Sequence, residues 1–157
     1  MTTVRVSITR QPLKDEEPVP AAPGDGRDGA EVRFSGRVRD EQRRVRALYL
    51  EHYPGMTEKA LQRIAAHAQQ RWPLNLIEIV HRVGEIGIGE EIVRVTVCAA
   101  HRQAAFEACR FLIDTLKSQV PLWKKELDAD GWHWVEAREC DAEAASRWMT
   151  EAPEKVC

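Results

Sequence analysis

At 157 residues the chain is long enough to bury a core of its own, and 43% apolar with 31% charged residues is an ordinary globular balance. A net charge of −2 excludes a global electrostatic case for binding nucleic acid or an acidic membrane, so any anion site must be assembled locally. No apolar run reaches the ~20 residues that span a bilayer and no leader pattern opens the sequence, which points to the cytoplasm.

The opening MTTVRVSITR alternates as a strand does. Residues 11–30, QPLKDEEPVPAAPGDGRDGA, hold four of the eight prolines and a Gly/Asp cluster, and read as a surface loop or flexible connector. Strands are expected over 31–39 (EVRFSGRVR) and 44–52 (RVRALYLEH), joined by the short charged turn DEQR. Pro54-Gly55 stops the second of these. A helix follows in which Met56, Ala60, Leu61, Ile64, Ala65, Ala68 and Trp72 share one face, ended by Pro73.

A strand over 76–83, a Gly-rich turn around GEIGIGE and a strand over 91–99 come next. The second helix covers about 101–118, with Ala105, Ala108, Cys109, Leu112, Ile113 and Leu116 as its apolar stripe. LWKKEL and WHWVEAR flank DADG as a hairpin, Asp141 can cap a last short helix through Trp148, and 150–157 read as a mobile tail. From residue 31 the order is β–β–α–β–β–α–β–β–α without an internal repeat. That order argues a single α+β domain over 1–157 rather than a doubly wound sheet.

No Gly-rich nucleotide loop is present. Cys98, Cys109, Cys140 and Cys157 form no CxxC pair or zinc spacing, and Cys98 and Cys109 read as small core residues. The five histidines are dispersed, so neither a metal nor a cofactor is expected.

The informative anomaly is AAHRQAAF, 99–106. His101 and Arg102 fall in the first turn of a helix, where the helix dipole disfavours cations. Free N–H groups, imidazole and guanidinium there suit a phosphate or carboxylate. The alternative is that both side chains splay into solvent at a cost of a few tenths of a kcal/mol. Lys117, at the other end of the helix, complements the dipole or handles an anion. Lys124 and Lys125 are adjacent on a strand and therefore point to opposite faces. Arg37, Arg39 and Arg138, each taken alone, are surface charges.

The strings FSGRVR, LEHYPGMTEKAL, RWPL, IVHRVGEIGIGE, CAAHRQAAFEACRFLIDTLK, VPLWKKE and WVEARE, in that order, resemble the large subunit of molybdopterin synthase. The resemblance runs from about Phe34 to Trp148. It implies an α/β hammerhead fold with an added β-rich portion, and a homodimer within a heterotetramer. The partner it implies is a small ubiquitin-like subunit that inserts a C-terminal Gly-Gly thiocarboxylate into a pocket. The reaction it implies is sulfur transfer to cyclic pyranopterin monophosphate, giving the dithiolene of molybdopterin.

Matched position by position, the resemblance makes Lys117 and Lys124 the catalytic lysines. It makes Arg39, His101, Arg102 and Arg138 the pocket for the anionic pterin. Arg37, Val38, Lys125 and Glu126 line that pocket, with Phe34 an aromatic neighbour, and one site can draw on both protomers. Two departures stand out: the turn after Arg39 is short, and Ile113 occupies a position where methionine is common. The competing class is a non-catalytic module that binds a ubiquitin-like partner or a phosphate ligand.

Overall fold

The computed structural model describes residues 2–14, 26–135, 143 and 146–148. Among the described residues, eight strands and two long helices are ordered β1 (Thr3–Thr9), β2 (Ala30–Arg37), β3 (Ala47–His52), α1 (Met56–Arg71), β4 (Leu74–Arg82), β5 (Gly84–Gly87), β6 (Glu91–Ala99), α2 (Arg102–Gln119), β7 (Leu122–Asp128) and β8 (Gly131–Val135). They form two four-stranded sheets, ordered β1-β4-β6-β2 and β5-β3-β7-β8. Among these described strands only β1 and β4 pair in parallel, and the other neighbours are antiparallel.

Each amphipathic stripe finds its partner here. Leu61, Ile64, Ala65 and Ala68 of α1 pack with Ala105, Ala108, Cys109, Leu112 and Leu116 of α2. Both stripes cover Ile77, Ile79, Val95 and Val97 on one face of the first sheet. A smaller cluster of Val38, Leu48, Leu50, Val83 and Ile86 sits where the two sheets meet, and Ile8 and Leu122 touch both clusters.

Several boundaries differ from the sequence reading for local reasons. β2 ends at Arg37 because the polar groups of Val38 turn elsewhere: its N–H donates to Glu90 O at 3.0 Å, and its carbonyl accepts from Gly89 N at 2.8 Å. Residues 41–43 form a 3-10 turn in which Gln42 and Arg43 adopt φ of 58° and 57°, so β3 begins only at Ala47. The Gly-rich segment expected as a turn contains a strand, since Gly84–Gly87 pairs with β3. Glu143 and Ser146–Trp148 are helical, as expected of the last helix. Arg138, Asp141, Cys140 and the 150–157 tail lie outside the described residues. Among the described residues no helix is long and apolar enough to cross a membrane.

Candidate functional site

Lys124 owes its setting to strand register. It stands opposite Leu50 on β3 and Val135 on β8, two residues from Glu126, which stands opposite Leu48. Directly opposed residues share a face, so Lys124 and Glu126 lie beside the cluster that buries Leu48, Leu50 and Val38. Their charged ends are 3.8 Å apart and both are partly buried. Lys125 takes the other face, its Nζ 4.2 Å from the centre of the Trp134 ring and 5.8 Å from that of Tyr49.

Lys117 occupies the last turn of α2 and is exposed. The chain then turns through Val120-Pro121 into β7, and Thr57 fastens this corner. Thr57 Oγ1 donates to Pro121 O at 3.1 Å and accepts from Tyr53 N at 3.0 Å, tying the corner to the end of β3 and the start of α1. Thr57 is fully buried. The sequence reading missed it, although a threonine in the first turn of a helix is the available signal.

Arg37–Arg39 reach the same region by another route. The Arg37 guanidinium donates to Gly89 O at 3.0 Å, so Arg37 and Val38 are both held by the β5–β6 turn. Glu90 builds that turn by accepting from Gly87 N at 2.8 Å and Arg82 Nη1 at 2.9 Å. The Gly87 N–H holds the Glu90 carboxyl below its usual range against the cost of burial, with Arg82 adding to the lowering. Behind Arg37, Glu91 is buried and paired with Arg94 at 2.6 Å. Burial pushes the Glu91 pKa up, but hydrogen bonds from Arg94 and Ser35 and the charges of Arg94 and Arg37 outweigh it, and the carboxyl ends lower. Arg39 follows as an exposed residue just before the 3-10 turn.

His101 is the N-cap of α2, with extended backbone and no side-chain cap, and the first turn carries no acidic residue. His101 and Arg102 are exposed. Arg102 and Lys117 are separated by fifteen residues of one helix, or about 22 Å at 1.5 Å per residue. α2 also doubles back along β6 after leaving it at Ala99, and Arg37 pairs with Glu91 at the far end of that strand. The described candidates therefore divide. Arg37, Val38, Arg39, Lys117, Lys124 and Glu126 belong to one end of the protomer, His101 and Arg102 to the other. Phe34 lies between them on β2, an edge strand, and is 37% exposed. Arg138 falls outside the described residues.

Neither described cysteine is suited to carry sulfur. Cys98 and Cys109 are free and buried, and burial pushes each thiol up to about 11. Among the described residues no group of His, Cys, Asp or Glu could hold a metal ion.

The helix-covered first sheet with the second sheet appended makes this an α/β hammerhead protein with an added β-rich portion. The MoaE protein family matches residues 8–119. The Escherichia coli K12 molybdopterin synthase catalytic subunit is 47% identical over 150 residues, covering 94% of this chain and 100% of that one. Its counterpart in Pseudomonas aeruginosa is 57% identical over 122 residues, or 76% and 81% of the two chains. The molybdopterin biosynthesis MoaE protein from Burkholderia ambifaria superposes with a TM-score of 0.79 at 44% identity, over 95% of this chain and 100% of that one. The chain belongs to the MoaE family of molybdopterin synthase catalytic subunits.

Proposed function

We propose that this chain transfers sulfur from the C-terminal thiocarboxylate of a small ubiquitin-like subunit to cyclic pyranopterin monophosphate, as the catalytic half of a molybdopterin synthase. The enzyme is a heterotetramer around a homodimer of this chain, and its setting is the cytoplasm, where free thiols such as Cys98 and Cys109 persist. Lys117 and Lys124 act on the reacting carbonyl and sulfur. Arg37, Val38, Arg39 and Glu126 line the same pocket, with Phe34 at its edge and Arg138 joining the pterin contacts. Lys125, on the reverse face, braces the strand that carries Lys124.

The observation that carries this reading is the ~22 Å between Arg102 and Lys117 along one helix. Both residues can serve one pterin only if the second protomer supplies His101 and Arg102. The chemistry needs such a gathering of cations, because a phosphate ester and a thiocarboxylate must meet in one place. Attack on or by the thiocarboxylate builds negative charge on oxygen or sulfur. A fixed ammonium stabilises that charge or protonates the leaving group.

Mixed dimers test the arrangement. Lys117→Ala and Arg102→Ala homodimers, each assembled with thiocarboxylated small subunit, are expected to lose about 10²-fold or more of their turnover at substrate concentrations below KM. Co-refolded together, they give mixed dimers with one intact composite site, restoring about a quarter of wild-type turnover. No restoration, with dimers intact, would exclude a site shared between protomers. Undiminished turnover in Lys117→Ala would exclude the sulfur-transfer role of that lysine.

A further inference from the structure

The N-terminus of α2 has no side-chain cap and no acidic residue in its first turn, so no cap contact holds His101 and Arg102. Their placement comes from the burial of Ala104 and Ala105 and from the backbone that delivers the helix. β6 ends at Ala99, which lies between Ala30 on β2 and Leu74 on β4. Just before β2, Gly29 N donates to Ala99 O at 3.0 Å. An added Cβ on Gly29 would lie 2.2 Å from Ala100 O and 3.3 Å from Ala100 C. Both are backbone atoms, so no side-chain rotation relieves the clash. Gly29 does not adopt a positive φ, unlike Gly26, Gly55, Gly84, Gly89 and Gly131. It is needed for close approach, not for conformational freedom.

A second attachment holds the same segment. β4 carries a register shift between Leu74 and Leu76, which leaves Asn75 unpaired with β6. The Asn75 amide turns across to Arg27–Asp28, donating to Arg27 O at 3.2 Å and to Asp28 Oδ1 at 2.6 Å. Residues 27–29 are thus pinned by Asn75 on one side and pressed on the Ala99–Ala100 backbone on the other. His101 is the next residue.

We infer that Gly29 and Asn75 are positioning residues for the reaction: the strap 27–29 aims the α2 N-terminus, and with it His101 and Arg102, at the anionic pterin. The inference rests on the reading of His101 and Arg102 as the pterin's anion contacts. Displacing such a terminus by even an ångström weakens its hold on a bound anion, since charge-assisted hydrogen bonds fall off steeply with distance and angle.

The test uses the full chain assembled with thiocarboxylated small subunit, in Gly29→Ala, Asn75→Ala, Arg102→Ala and the Gly29→Ala/Arg102→Ala pair. Gly29→Ala is expected to raise KM for cyclic pyranopterin monophosphate by about tenfold or more, with kcat changed by less than about threefold. Asn75→Ala inserts nothing into the contact and is expected to move KM in the same direction by less. In the Arg102→Ala background Gly29→Ala is expected to add little, because both act through one contact.

Imidazole NMR of the free chain supplies the independent readout: Gly29→Ala and Asn75→Ala are expected to shift His101 and to leave His67 and His133 in place. Unmoved His101 resonances in both variants, or a Gly29→Ala effect on KM that is undiminished beside Arg102→Ala, would overturn the inference. A shifted His101 with an unchanged KM in Arg102→Ala would instead sustain the strap and refute the anion-site reading.

Discussion

The ammonium of Lys125 lies over the ring of Trp134, its neighbour across the β7–β8 ladder, at 4.2 Å from the ring centre. That contact sits on the reverse side of the sheet from Lys124. Two consecutive lysines thus have different surroundings, set by the pleat alone. Lys124→Ala is expected to lower turnover by about 10²-fold or more, as loss of a fixed charge at a developing anion does. Lys125→Ala is expected to cost about 0.5–1 kcal/mol of stability and to leave turnover within about threefold, as a half-exposed cation–π contact predicts. Single-turnover assays beside urea unfolding curves separate the two, and equal kinetic losses would contradict the division of faces.

Thr57 offers a test of the corner between α2 and β7. Thr57→Val keeps the volume, but strands the Tyr53 N–H and the Pro121 carbonyl that the hydroxyl joins. The expected cost is about 1–3 kcal/mol of folding stability, from the loss of two part-buried hydrogen bonds. Because Lys117 and Lys124 stand on either side of Pro121, kcat is expected to fall as well, with KM little changed. A stability loss with kcat intact would show that the corner is rigid without this tie.

His81 predicts a particular acid sensitivity. Burial lowers its pKa from 6.5 to about 4, against a hydrogen bond between Nδ1 and Arg82 O and with a small contribution from His52. The unfolded chain therefore binds the proton more readily, and stability rises with pH through this window. The stability is present above about pH 6.5 and declines as pH falls toward 4. By pH 5 the histidine accounts for roughly 2 kcal/mol of the loss. Chemical unfolding at pH 7 and pH 5 is expected to show a smaller difference in His81→Leu than in the wild type, and an equal difference would remove His81 as the cause.

The helices were legible in the sequence because their apolar stripes repeat with a helical period and because Pro73 and Pro121 follow their ends. β5 was not, since two of its four residues are glycine and only pairing with β3 makes them a strand. Alternation in MTTVRVSITR indicates a strand but cannot name β4 as its partner, 73 residues away. The site shows the same limit. His101, Arg102 and Lys117 were visible as helix-end residues, whereas their placement at opposite ends of the protomer follows from how α2 doubles back along β6. Gly29 and Asn75 were invisible, and Thr57 showed only as a threonine in a first helical turn, because each owes its role to a segment distant in sequence: Ala99–Ala100, Arg27–Asp28 and Pro121.

The two interior thiols have a consequence for the chemistry that concerns what does not happen. An acyl-bound sulfur in transit is open to attack at its acyl carbon by any thiolate it meets, which would form a thioester with that cysteine and release the cargo as hydrosulfide. Cys98 and Cys109 are walled into the core and stay protonated at neutral pH, so they cannot compete for it. Chemical silence in the walls is as much a requirement for carrying a reactive atom as the charged groups that receive it.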